Sequence, residues 1–190
     1  MKHGPMRIVI WIAIMVFCSS CIVGSREAVL SSFPIVIEVK KVRFFHTVPL
    51  GCTFAAVEIG PTHIPTELLR ATQHNLDLLR ERDTSNPNRQ FIFPEGGYAY
   101  FPEQSVLSVS SLIYEAGDEG LGLRLGDRFS FGQSCLGELG RSGGKIEPEE
   151  LRQMLDDTVA ESGIVVIGDQ FWPTTIVLFP ERLLAYYYGP

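Results

Sequence analysis

Cysteine is scarce in this 190-residue chain, occurring only at positions 18, 21, 52 and 135. That count excludes a disulfide scaffold as the source of the fold, and a chain of this length buries enough apolar surface to fold without one. Cations are also few, with 16 Lys and Arg against 22 Asp and Glu. They form no cluster able to neutralise a row of phosphates, which excludes nucleic acid as a partner. No HExxH pair of metal-binding histidines occurs, and no period of about 20–50 residues betrays a solenoid. The longest apolar run, Ile8 to Phe17, has ten residues. That is short for a membrane span, which takes about 20.

What the chain does have begins at its N-terminus. Lys2 and Arg7 make a basic start, the apolar run follows, and Cys18-Ser19-Ser20-Cys21 supplies small residues. This is the three-part layout of an export signal. Ser19-Ser20-Cys21 further resembles the end of a bacterial lipoprotein signal. The resemblance covers residues 1–21 only, and it implies that Cys21 is lipidated, becomes the new N-terminus and tethers the chain to a membrane. Plain cleavage before Arg26, with Val23 and Ser25 at the small-residue positions, and an uncleaved anchor are the alternatives. The expected organisation is a signal peptide over 1–20, a linker over 21–32 and one globular domain over 33–190. Without residues 1–20, 14 basic residues face 22 acidic ones, a net charge of −8. In an exported protein Cys52 and Cys135 can pair as a disulfide or stay apart as buried thiols.

Hydrophobic patterning predicts the elements. Pro34 to Thr47 reads as strand, with a break in its apolar phase at Lys40-Lys41 that calls for a bulge. Val48-Pro49-Leu50-Gly51 is a turn, and Cys52 to Ile59 returns as the second strand of a hairpin. Pro65 to Arg82 is a helix with Leu68, Leu69, Thr72, Leu76 and Leu79 on one stripe. Gln90 to Phe93 and Tyr98 to Phe101 read as a second hairpin around Pro94-Glu95-Gly96-Gly97. Pro102 to Ala116 fits a helix, Leu121 to Phe131 alternates as a strand, and Pro148 to Ser162 fits a helix closed by Gly163. Ile164 to Ile167 and Thr174 to Phe179 are short strands, with Leu183 to Tyr188 expected at an edge. Hairpins interspersed with helices indicate an α+β fold, a single domain with a mainly antiparallel sheet packed with two to three helices.

The chemistry-bearing patterns are weak. Gly120-x-Gly122-x-x-x-Gly126 has one residue too many for a dinucleotide fingerprint, and Gly144-Lys145 lacks the rest of a phosphate loop. Gly132-Gln133-Ser134-Cys135-Leu136-Gly137 loosely follows a nucleophile elbow, with its second glycine one place late. Ser134 or Cys135 would need His46, His63 or His74 as base. His63, Glu67 and His74 have spacing that could offer metal donors, but solvated or capping roles explain the histidines as well. Asp118, Glu119 and Asp127 lack the alternation of a calcium loop and read as an exposed acidic turn. The aromatics Phe44-Phe45, Tyr98, Tyr100-Phe101, Phe171-Trp172 and Tyr186-Tyr187-Tyr188 alternate sides along strands. They therefore either fill both faces of a covered sheet or leave an exposed strip for a peptide, glycan or protein.

These readings lead to a tethered, noncatalytic lipoprotein domain of a bacterial envelope that binds another envelope component, protein or glycan, with no cofactor and no metal expected. An exported hydrolase built on Ser134 or Cys135 is the rival, and an inhibitor or immunity-type surface protein is a third reading.

Overall fold

The computed structural model describes residues 26–47, 53–81, 90–94, 96–125, 153, 156, 160–168 and 174–189. Among these residues are six strands: β1 (Val39–Thr47), β2 (Thr53–Ile59), β3 (Tyr98–Gln104), β4 (Gly163–Gly168), β5 (Thr175–Phe179) and β6 (Leu184–Gly189). They form one sheet in the order β1-β2-β6-β5-β4-β3, and every neighbouring pair is antiparallel. Helices α1 (Arg26–Ser31), α2 (Thr66–Glu81) and α3 (Val106–Glu115) accompany it, and residues 119–125 are also helical. The chain is the α+β domain with an antiparallel sheet that its patterning predicts.

Both faces of the sheet are covered. On the front face Phe54, Ala56, Phe101, Ile167, Val177 and Tyr186 pack beneath Val109 and Ile113 of α3 and beneath Leu121 and Leu125. On the back face Val57, Ile176, Leu178 and Tyr187 pack beneath Val29 of α1, Phe33, Ile37 and Ile64. An antiparallel sheet covered on one side alternates buried and exposed residues. Here β5 is buried at every position, so its sequence reads as one apolar run. The same logic corrects the expected place of the last strand. Tyr186 and Tyr188 fill the front core while Ala185 and Tyr187 fill the back one, and a strand apolar on both sides belongs inside the sheet. β6 accordingly lies between β2 and β5.

Helix α2 explains why 90–93 is not a strand. Thr72, buried on its inner side, donates its hydroxyl to Leu68 O at 3.1 Å and accepts the Tyr100 N–H of β3 at 2.9 Å. Leu76 and Leu79 reach the front core, and Leu68 and Leu69 reach the back one. The helix thus runs along the outer edge of β3 and occupies the place where a further strand would pair. Replacing Thr72 by Val keeps the shape and orphans the Tyr100 N–H, with an expected loss of about 1–3 kcal/mol. Thr72→Ser keeps the acceptor, and its urea midpoint should fall closer to the parent's.

Four further boundaries differ from the sequence expectation. Residues 26–31 belong to a helix with Val29 buried, not to a linker. Pro102 lies in β3, and α3 begins only after Ser105, whose side chain accepts the Ser108 N–H at 3.2 Å as its N-cap. Residues 121–125 are helical, because Leu121 and Leu125 are four apart and bury one stripe while Leu123 is exposed. Alternation at 121, 123 and 125 satisfies both periods. Gly163 opens β4. The expected irregularity in β1 is present, as register shifts between Val39 and Lys41 and between Val42 and Phe44. Gln153, Asp156 and Ala160 are helical, within the helix expected over 148–162.

Candidate functional site

Cys21, Cys52, Phe171, Trp172, Ser134 and Cys135 lie outside the described residues. Among the described residues, three of the five buried polar side chains, Thr53, Thr174 and Thr175, lie at the end of the sheet where β1 finishes and β2 starts. Pairing sets His46 opposite Phe54, Phe54 opposite Tyr188 and Tyr188 opposite Thr175, all on the front face. The adjoining back-face positions include Thr47, Thr53, Gly189, Gly168 and Tyr98, through the pairs Thr47 with Thr53, Thr53 with Gly189, and Gly168 with Tyr98. Thr174 joins them by accepting the Gly168 N–H at 2.9 Å.

Gly189 leaves no room for a side chain at this end, whereas Gly168 does. A Cβ on Gly189 would sit 2.3 Å from the Tyr187 hydroxyl, and one on Gly168 would meet the Tyr98 ring at 3.4 Å and Thr174 at 3.6 Å, ordinary van der Waals contact. Tyrosine therefore lies over bare backbone at both places. The Tyr98 hydroxyl donates to Ser32 O at 3.0 Å, fixing the segment after α1 against the sheet. The hydroxyls of Thr47 and Thr53 stand 3.0 Å apart, and Thr53, Thr174 and Thr175 are buried.

Electrostatics limits what these groups can do. Burial, with the Tyr98 phenol adding to it, pushes Tyr100 up to about 12. Burial first and Tyr187 second raise Tyr98 as well. Both phenols stay protonated at neutral pH, so neither acts as a base there, and that of Tyr98 serves as a hydrogen-bond donor. His46 stacks on Phe44 at 6.5 Å between ring centroids. Its buried Nε2 and the Thr175 hydroxyl have no hydrogen-bond partner among the described residues. Desolvation lowers the His46 pKa below 6.5, so the neutral imidazole is the favoured form. A histidine whose folded pKa is depressed gives stability that is complete above its unfolded pKa of 6.5 and is lost as pH falls through the folded value. Denaturant midpoints across that window should decline with acidification, and less steeply in His46→Gln. An equal slope in both proteins would refute the assignment.

The other sequence candidates do not assemble. His63, Glu67 and His74 are exposed, on the loop before α2 and on α2 itself. Among the described residues no three His, Cys, Asp or Glu side chains gather as metal donors. Asp118 is not an exposed acidic residue but 6% accessible, with Oδ1 accepting the Leu121 N–H at 2.9 Å and Oδ2 the Phe91 N–H at 2.5 Å. Gly122 approaches α3 closely, since an added Cβ would meet Tyr114 Cβ at 2.8 Å. The Ser110 hydroxyl donates to Gly122 O at 2.6 Å. The glycine serves helix packing. Tyr100, Phe101 and Tyr186 to Tyr188 are buried, so these members of the aromatic set fill two cores rather than forming an open strip.

The missed roles belong to Asp118 and Thr72. Asp118 directly after Gly117 is an N-cap signal that the sequence carries openly. Nothing local marks Thr72 as the acceptor for a strand 28 residues away. Among the described residues no helix is long and apolar enough to cross a membrane. Comparison with protein-family models, with the curated proteins and with solved structures finds no match to this chain.

Proposed function

We propose that the chain is an exported, membrane-tethered, noncatalytic domain of a bacterial envelope, acting by binding another envelope component. The observation that carries this reading is the order of the N-terminal segment: basic residues, a ten-residue apolar run, then Ser19-Ser20-Cys21. Supporting it is a single α+β domain that starts only a few residues later, at α1. Intact mass of the mature protein tests the tether. A lipid-sized increment on a chain beginning at Cys21 is the expected result; a start at Arg26, or retention of Met1, rejects lipidation.

One observation favours a second reading, a hydrolase using Ser134 or Cys135. His46 presents a neutral ring whose Nε2 has no partner among the described residues, and a general base requires such a free neutral nitrogen. Ser134→Ala and Cys135→Ala separate the two readings. Loss of a measurable turnover with the fold intact would overturn the binding-only proposal.

A further inference from the structure

The segment joining α1 to β1 breaks the usual chemistry of a turn. Ile37 donates its N–H to Pro34 O at 2.9 Å, closing a four-residue turn whose central residues are Ile35 and Val36. Such positions normally carry Gly, Asn, Asp, Ser or Pro, which favour the bend and meet water without penalty. Phe33, Pro34 and Ile37 are buried on the sheet, whereas Ile35 is fully exposed, at 101%. Other exposed apolar side chains, such as Leu107 and Leu123, reach only 50% and 55%. An apolar side chain held out by a turn that satisfies its own backbone suits a medium without hydrogen-bonding water.

Charge and chain length identify that medium. Residues 26–43 carry four cations, Arg26, Lys40, Lys41 and Arg43, against two carboxylates, whereas residues 44–190 carry ten cations against twenty carboxylates. The segment holding Ile35 is thus the cationic part of an acidic chain, and cations next to a membrane anchor are drawn to anionic headgroups. Arg26 and Lys41 are exposed, whereas Lys40 pairs with Glu38 and Arg43 with Glu58 of β2. Four residues lie between Cys21 and Arg26 in sequence, a span of at most about 18 Å when extended. A domain on so short a leash stays at the bilayer surface, with α1 and the turn that follows it nearest.

We infer that the turn from Pro34 to Ile37 is a membrane-contact element, with Ile35 entering the headgroup boundary of an anionic bilayer and fixing which side of the domain faces outward. This rests on the tether proposed above. A single isoleucine orients the domain; the anchor holds it. The test is photocrosslinking of the full chain in its native membrane, with p-benzoylphenylalanine replacing Ile35 or, on the opposite face of the sheet, Leu107 in α3. A phospholipid adduct at position 35 and none at 107 is the expected result. A dimer adduct, a crosslink to another protein, or no adduct at 35 overturns the inference, as does equal labelling at both positions. The mass of the N-terminal peptide from the same sample reads the tether separately. A lipidated Cys21 without an adduct at 35 removes the contact and leaves the tether, and an unlipidated chain with the adduct does the reverse.

Discussion

Asp118→Ala is expected to lower stability by about 2–4 kcal/mol, combining loss of an N-cap with an orphaned buried N–H. The cause is the position of Asp118 between two helices. Gly117, at φ 103°, ends α3 in the left-handed conformation. Its N–H bonds to Tyr114 O at 2.9 Å, and the Asp118 N–H bonds to Ile113 O at 3.1 Å. That is a Schellman closure. The next residue-scale event is a new helix, because Asp118 Oδ1 caps the Leu121 N–H while Asp118 O accepts the Gly122 N–H at 3.0 Å. Oδ2 meanwhile holds the Phe91 N–H, far away in sequence. Alanine removes both side-chain bonds, leaving the Phe91 donor buried with no acceptor. Asparagine keeps one acceptor oxygen and should lose less. Urea unfolding with an unchanged m-value would read both, and an alanine variant within about 0.5 kcal/mol of the parent, the range of ordinary surface changes, would refute the account.

The second large effect tests the two-sided core. Ile167 faces the front and Leu178 the back, and both are fully buried. Truncating either to alanine should cost about 2–5 kcal/mol. In a sheet with one wet face, one of the two substitutions would fall within about 0.5 kcal/mol of the parent. Comparable losses on both sides are therefore expected. A near-neutral Leu178→Ala would show that α1 and residues 33–37 do not seal the back face.

Local signals carried much of the architecture. The hairpin of β1 and β2, its bulged edge, the leucine stripe of α2 and the strand character of β4 and β5 all follow from short-range periodicity and turn chemistry. Of three failures, two were decided at a distance and one locally. Gln90 to Phe93 has strand composition, yet α2 already occupies the edge of β3 through Thr72. Leu121 to Leu125 alternates like a strand but shares its spacing with one helical turn, and the cap at Asp118 decides the matter. Leu184 to Tyr188 was legible as a strand, but its place was not, since only the second covered face gives it neighbours on both sides. At the candidate site the aromatics were conspicuous and Tyr187 lies over Gly189 two residues along its own strand, whereas the packing of Tyr98 over Gly168 depends on strands far apart in sequence.

The strand order also constrains when the protein can fold. β6 is the last strand along the chain and stands third in the sheet, paired with β2 on one side and β5 on the other. Until residues 184–189 emerge from synthesis, the hairpin of β1 and β2 has no partner, and β5 presents a bare apolar edge. The pairing of β2 with β6 joins residues more than 120 positions apart, from Thr53 with Gly189 to Glu58 with Leu184, so loop closure precedes its reward. Assembly of the sheet is consequently a late event that waits for residues 184–189, and a polypeptide cut short before them is an open one.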